Sequence, residues 1–310
     1  MLFDSSFSQA IVSEAERFGF SACGISSATM LKEESMVMER WLAAEHEGTM
    51  SYLGRNREKR YDPRLLVEGT KSIVTVLYNY FPQRPLPREG NFKIASYAYG
   101  EDYHEVLKQK MRQLLAWVEK LTGPLEGTRV FVDSAPVLDR AWAVKCGLGF
   151  IGKNTTLIHP KKGSFFFIGH LFLPLPLAPT GEAMGNRCGR CTRCLDACPT
   201  GALEAPFSLD ARKCISYLTI EYKGALEGDP SVFHDWIYGC DICQEVCPYN
   251  KFSIGNMEPL FQPSEALVAM RKDDWKRLDK AGFDKLFGKS AVKRAGYEGL
   301  KRNITFLGLE

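Results

Sequence analysis

Eight of the ten cysteines fall between residues 188 and 247, at spacings that suit iron–sulfur ligation. The run Cys188-Gly-Arg-Cys191-Thr-Arg-Cys194-Leu-Asp-Ala-Cys198-Pro199 has the form C-x2-C-x2-C-x3-C-P. In that run three thiolates wrap one [4Fe–4S] cubane and the fourth reaches a second. Structural zinc would want two separated C-x2-C pairs instead. A second run, Cys240-Asp-Ile-Cys243-Gln-Glu-Val-Cys247-Pro248, repeats the end of the pattern, with Ile237 where its first cysteine would stand. Counting ligands gives Cys188, Cys191, Cys194 and the crossing Cys247 to one cluster. The other takes Cys240, Cys243 and the crossing Cys198, and Cys214 is the cysteine left in the region to complete it. Cys23 and Cys146 stand apart and read as small buried hydrophobes.

Two adjacent clusters make a path for single electrons, and about 60 residues suffice to hold them. Here roughly 185 residues precede the first cluster cysteine, so the chain holds something besides a bare electron carrier. With 310 residues, 45% hydrophobic and 25% charged, it has ordinary globular composition and room for two or three packed units. The first 24 residues carry Ile11, Val12, Ala15 and Phe18 at helical spacing, between acidic and basic side chains, unlike a secretory leader. No stretch of about 18 apolar residues occurs, so a cytoplasmic protein with no membrane span is expected. Reduced thiols fit that compartment.

The region before the cysteines alternates between strand and helix patterns. Strands are expected at 72–81, 93–99, 129–132 and 164–172, and an amphipathic helix at 105–121 with Leu107, Met111, Leu114, Leu115, Val118 and Leu121 on one face. This is an α/β or α+β unit over about residues 1–180, followed by cluster-binding residues 181–255 and a helical segment, 256–310.

Within the first unit, Val132-Asp133-Ser134-Ala135-Pro136 reads as a strand end followed by a helix start, with Ser134 as cap and Pro136 in the first turn. Asp133 then sits at a strand's carboxyl end, either as a capping residue or as a catalytic one. Tyr103 and His104, at the entry of the next-upstream helix, can each donate a proton or can form a surface pair without a role. The segment Gly147-Leu-Gly-Phe-Ile-Gly-Lys-Asn-Thr155 imitates both G-x-G-x-x-G and a phosphate-binding loop. It follows a helix instead of a strand, and Asn154 replaces the hydroxyl residue after Lys153, so NAD and ATP are excluded. Its glycines could admit a flat cofactor, with Lys153 and Asn154 as donors. From Arg271 to Arg302, eleven basic residues face five acidic ones, a net +6 in a chain of net +3. Such clustering suits either a phosphate backbone or a solvated helical face.

Taken together, Asp133-Ser-Ala-Pro-Val-Leu-Asp-Arg140, the glycine segment, Leu209-Asp-Ala-Arg-Lys-Cys-Ile-Ser-Tyr-Leu-Thr-Ile-Glu221, both cysteine runs and Leu300-Lys-Arg-Asn303 resemble the epoxyqueuosine reductase family, in its order, from about residue 10 onward. The resemblance implies an N-terminal cobalamin-binding domain related to flavin nitroreductases, a ferredoxin-like domain with two [4Fe–4S] clusters, and a short helical C-terminal segment. It implies reduction of epoxyqueuosine at the wobble position of a tRNA anticodon loop to queuosine, with electrons from a reduced flavodoxin or ferredoxin. Asp133 matches the family's proton donor, with Tyr103 and His104 lining the same pocket. Arg57, Asp133, Lys153 and Asn154 are offered as cobalamin contacts, and Lys289, Lys293, Arg294, Lys301 and Arg302 as contacts to tRNA. Two other readings stay open: a different cobalamin-dependent reductase, for example of organohalides, and an electron-transfer subunit without cobalamin.

Overall fold

The computed structural model describes residues 4–308. Its centre is a four-stranded antiparallel sheet of β1 (Ala22–Ser27), β2 (Ser72–Asn79), β3 (Arg129–Phe131) and β4 (Phe166–Leu173), in the order β1-β2-β4-β3. The expected strands at 72–81, 129–132 and 164–172 are therefore present, within two residues at each end, while β1 had no clear signal. Both faces of the sheet are covered, so β2 is buried along nearly its whole length rather than alternating.

One face carries α1 (Ser5–Arg17) and α2 (Tyr103–Thr122). Ile11, Ala15, Leu107, Met111, Leu114 and Val118 pack there against Val74, Val76 and Leu171. The opposite face carries α3 (Asp139–Lys145), with Trp142 against Ile73 and Phe172, and Ala143 near Leu77. The period of two along β2 thus sorts its side chains between two helical layers. Asp102 caps α2, its carboxylate accepting from the His104 backbone N–H at 3.1 Å.

A second core joins Phe92, Ile94 and Tyr99 to Ile215, Trp236, Ile237, Trp275, Phe287, Leu300 and Ile304. The expected strand at 93–99 shrinks to Lys93–Ile94, which pairs in parallel with Trp236–Tyr238, and Ser96–Ala98 turns into a short 3-10 helix. That stretch is therefore committed to the cluster-bearing half of the chain. Residues 215–307 supply α4 (Ile215–Ile220) and α5 (Gly296–Leu307), and these pack on each other and on the strand Trp236–Tyr238. No helix among the described residues is long and apolar enough to cross a membrane.

The helix expected at Ser134 begins later. Asp133 has φ +49°, in the left-handed region that non-glycine residues seldom adopt. It swings the chain out of β3, and five residues pass before α3 opens at Asp139 with Leu138 as its uncapped N-cap. Asp133 is thus not a capping residue.

Candidate active site

Three side chains converge where β3 ends and α2 begins. The Tyr103 hydroxyl donates to Asp133 Oδ2 at 2.5 Å, and His104 Nε2 lies 3.8 Å from the same oxygen. The Tyr103 ring is stacked between the His104 ring, 4.1 Å away, and the Phe167 ring at 4.2 Å. His104 Nδ1 bonds Asp102 Oδ1 at 2.7 Å, which orients its other nitrogen toward Asp133. One capping aspartate therefore fixes both the helix start and the imidazole.

The Asp133 side chain is 62% exposed, yet loss of hydration is the main influence raising its pKa above the ordinary carboxyl value. A recess reconciles the two: solvent reaches the carboxyl from one direction while protein fills the others. The negative charge of Asp139 adds to the upward push, and Tyr103, His104 and Arg294 oppose it. Burial, then the Asp133 charge, holds the Tyr103 phenol well above its ordinary value. Burial opposes ionisation of Asp102 as well, but bonds from His104 and Lys293 outweigh it and hold that carboxyl well below its usual range. A carboxyl that holds its proton more firmly than usual, beside a fixed imidazole and phenol, is suited to proton donation.

Further groups sit around this recess. Arg294 pairs with Glu221 through two bonds, at 2.8 and 3.1 Å, and its guanidinium lies 5.9 Å from the Tyr52 ring. Arg60 is 8% exposed and its Nε is buried without a partner among the described residues. Its charge is felt by Asp139 and Tyr52. Its unpartnered Nε is hydrogen-bonding capacity that the described residues do not use.

The eight clustered cysteines gather as two sets of four. A hollow is lined by Cys188, Cys191, Cys194 and Cys247, with Lys153, Asn154 and Tyr249 around it. Cys198, Cys214, Cys240 and Cys243 act on one another as the second set, and Cys243 also acts on Cys194 of the first. All eight thiols are free. Ile237, where a first cysteine of the second run would fall, is fully buried in a strand. Cys214, at the N-cap of α4, stands with the second set.

The other proposed contacts are distributed differently from the sequence expectation. Arg57 pairs with Glu39 at 2.8 Å on the surface. Lys153 donates to the carbonyls of Gly189 and Cys191 at 2.8 and 2.9 Å, and Asn154 to that of Cys243 at 3.2 Å. Both hold cluster loops against the first unit. The nearby glycines admit the chain's own backbone: a Cβ on Gly149 would lie 2.4 Å from the Ile158 carbonyl. In the C-terminal segment, Lys293 bonds Asp102 Oδ2 at 2.9 Å, Lys289 is 84% exposed, and Lys301 donates to the Lys276 carbonyl. Arg302 uses all five N–H groups internally, on the carbonyls of Leu218, Tyr222 and Gly224 and on Asn303 Oδ1. Asn303, fully buried, ties α5 to the Thr219 and Ile237 carbonyls.

Two family models match this chain: a "4Fe-4S double cluster binding domain" over residues 187–250, and "Epoxyqueuosine reductase QueG, DUF1730" over residues 60–134. The chain is 48% identical over 301 residues to the epoxyqueuosine reductase of Cellulophaga algicola, covering 97% of each. The chain belongs to the epoxyqueuosine reductase family. The Pseudomonas aeruginosa epoxyqueuosine reductase is 40% identical, across 96% of this chain and 83% of its own. Among solved structures, an epoxyqueuosine reductase with an epoxyqueuosine-modified tRNA-Tyr stem loop superposes with TM-score 0.87 at 30% identity, over 97% of this chain and 80% of that one. The Streptococcus thermophilus epoxyqueuosine reductase gives 0.86 at 32% identity, over 96% and 80%. The architecture is thus the mixed α and β fold of epoxyqueuosine reductases, with its double-cluster domain. Sequence reasoning missed the pairing of His170 Nε2 with Asp139 Oδ1 at 3.1 Å, in which the histidine is fully buried. A histidine inside the apolar run 165–173 was the available signal.

Proposed function

We propose that this chain reduces epoxyqueuosine in a tRNA anticodon loop to queuosine. Two electrons and two protons convert the epoxide to an alkene and water. The electrons come from a reduced flavodoxin or ferredoxin and pass through two [4Fe–4S] clusters. Cys188, Cys191, Cys194 and Cys247 hold one cluster, and Cys198, Cys214, Cys240 and Cys243 the other. The nitroreductase-like unit, about residues 1–180, holds cobalamin at the Asp133 recess, where the solvent-open carboxyl fits a large polar cofactor. When bound, cobalamin supplies a cobalt centre that collects single electrons and delivers them to the epoxide.

Asp133 protonates the departing epoxide oxygen, and Tyr103 and His104 orient it and line the pocket. Lys289, Lys293, Arg294 and Lys301 meet the tRNA backbone, while Arg302 adds charge without a free donor. The reaction belongs in the cytoplasm, where tRNA is.

The observation that carries this reading is the Asp133 carboxyl, open to solvent yet bonded by Tyr103 and flanked by His104. The test is anaerobic reduction of tRNA containing epoxyqueuosine, with and without added cobalamin. Queuosine formed only with cobalamin supports the reading. Full conversion without it, or none with it in protein loaded with both clusters, defeats it.

A further inference from the structure

The glycine segment that imitates a phosphate loop has no part in the chemistry proposed above. It folds as a hairpin: Phe150–Ile151 pairs with Leu157–Ile158, and Gly152 N–H closes the turn on the Thr156 carbonyl at 2.9 Å. The tip is held in place. The Lys153 carbonyl accepts from Phe207 N–H at 3.0 Å, and Asn154 Oδ1 from the Thr156 hydroxyl at 2.9 Å. Each side chain then meets a different cysteine run. Lys153 Nζ lies 2.8 and 2.9 Å from the carbonyls of Gly189 and Cys191, and Asn154 Nδ2 lies 3.2 Å from that of Cys243.

Lys153 also lines the hollow enclosed by Cys188, Cys191, Cys194 and Cys247. No carboxyl lines that hollow, and none pairs with Lys153 among the described residues. Arg193 is the other cation at its wall, but its side chain is exposed while Lys153 is half-buried, so water and salt screen Arg193 more. The first set thus has an uncompensated ammonium fixed beside it by two carbonyls, and its thiols are partly exposed. The second set is seated differently. Cys214 adjoins Ile215 and Cys240 follows Tyr238 by two residues, both of these neighbours buried in the second core, and the hairpin offers that set the neutral Asn154. A [4Fe–4S] cluster gains one negative charge on reduction. A fixed cation and contact with water therefore raise its potential, and burial lowers it.

We propose that Lys153 tunes the first cluster: its ammonium, held at the wall of the hollow, keeps that cluster's potential above that of the second, so that the first electron from the carrier comes to rest there. One electron leaves the reduced carrier and the cluster passes from its oxidised to its reduced form, with no bond or proton changed. This rests on the eight cysteines holding two [4Fe–4S] clusters in the sets proposed above.

The test is an anaerobic redox titration followed by electron paramagnetic resonance, on chains loaded with both clusters and free of cobalamin and tRNA. Wild type should show two couples at separate potentials. In Cys214→Ser, which should keep the first cluster alone, the upper couple should be the one that remains. Lys153→Gln keeps an amide donor for the loop and removes the charge. Its upper couple should become about tenfold harder to reduce, a fall of about 59 mV for one electron, while the lower couple stays. Lys153→Arg keeps the charge and should restore the upper couple. Coinciding couples in wild type would overturn the proposal, and that result needs no variant to hold its iron. So would an upper couple unmoved in Lys153→Gln, survival of only the lower couple in Cys214→Ser, or an equal fall of both couples, the mark of a structural brace. Wild-type iron short of two clusters would instead sink the cluster assignment itself, and metal analysis shows that before any potential is read.

Discussion

Lys293 Nζ lies 2.9 Å from Asp102 Oδ2, while the other oxygen of that carboxylate holds His104 at 2.7 Å. One aspartate therefore joins the basic C-terminal segment to the imidazole facing Asp133. The same junction is sewn by the backbone, since Asp102 N–H donates to the Lys289 carbonyl and Ser290 Oγ to that of Ala98. The groups we assign to tRNA and to proton donation are thus parts of one packed structure.

Asp102→Asn should cost both stability and rate. The charge-assisted bonds from Lys293 and His104 would weaken, by about 1–2 kcal/mol together at neutral pH. The Asp102 pKa is held below its unfolded value of about 3.9. Its stabilisation is present above that pH and lost as pH falls toward the folded value. Chemical denaturation of wild type and variant should differ near neutrality and converge in acid. A gap that stays constant into acid would show that the charge is not responsible.

Asp133→Asn keeps the shape of the recess and removes the proton. Turnover should fall by about 10²–10⁴, the usual worth of a general acid. Iron and cobalt content and tRNA affinity should stay near wild type. Metal analysis and a binding titration on the same preparation separate lost chemistry from lost cofactor.

The cysteine code was readable because ligation fixes both residue type and spacing. The strands β2 and β4 and the helix α2 were readable because burial imposes a period on side chains. The register of α3 was not, because it turned on the positive φ of Asp133, which no local pattern announces. Lys153 and Asn154 misled for a similar reason. Their glycine-rich setting suggested a ligand, whereas the partners are carbonyls 36 to 89 residues away, at Gly189, Cys191 and Cys243. The Asp139–His170 pair joins residues 31 apart across a strand and a helix, and a single histidine in an apolar run gives no sign of its partner.

Cys214→Ser tests the least regular ligand. Ile237 is locked into the second core, so no residue there can substitute. The variant should lose about half of the iron bound by wild type, four of the atoms in two cubanes. Its remaining cluster should behave as that of the Cys188 set. Cys23→Ala should keep all of the iron, since Cys23 is buried on β1 away from both sets. Full iron in the Cys214 variant would contradict the assignment.

Lys289→Ala and Arg302→Lys separate a surface cation from a structural one. Lys289 is 84% exposed, with Glu101 at the 4.0 Å limit of pairing, so its ammonium is free to meet a phosphate. Its removal should weaken tRNA binding modestly and lower the slope of log affinity against log salt by about one. Arg302 spends three donors of its fork on α4 and the turn after it, and the other two on Asn303. Lysine keeps the charge but cannot reproduce that fork. Arg302→Lys should therefore leave the salt slope intact while lowering stability by about 1–3 kcal/mol, because partly buried carbonyls lose their partners. The carbonyls of Leu218 and Tyr222 belong to the stretch that follows Cys214, so the loss should also loosen the second cluster, read as faster iron release to a chelator. A changed salt slope with unchanged stability would reverse the assignment and make Arg302 a direct phosphate contact.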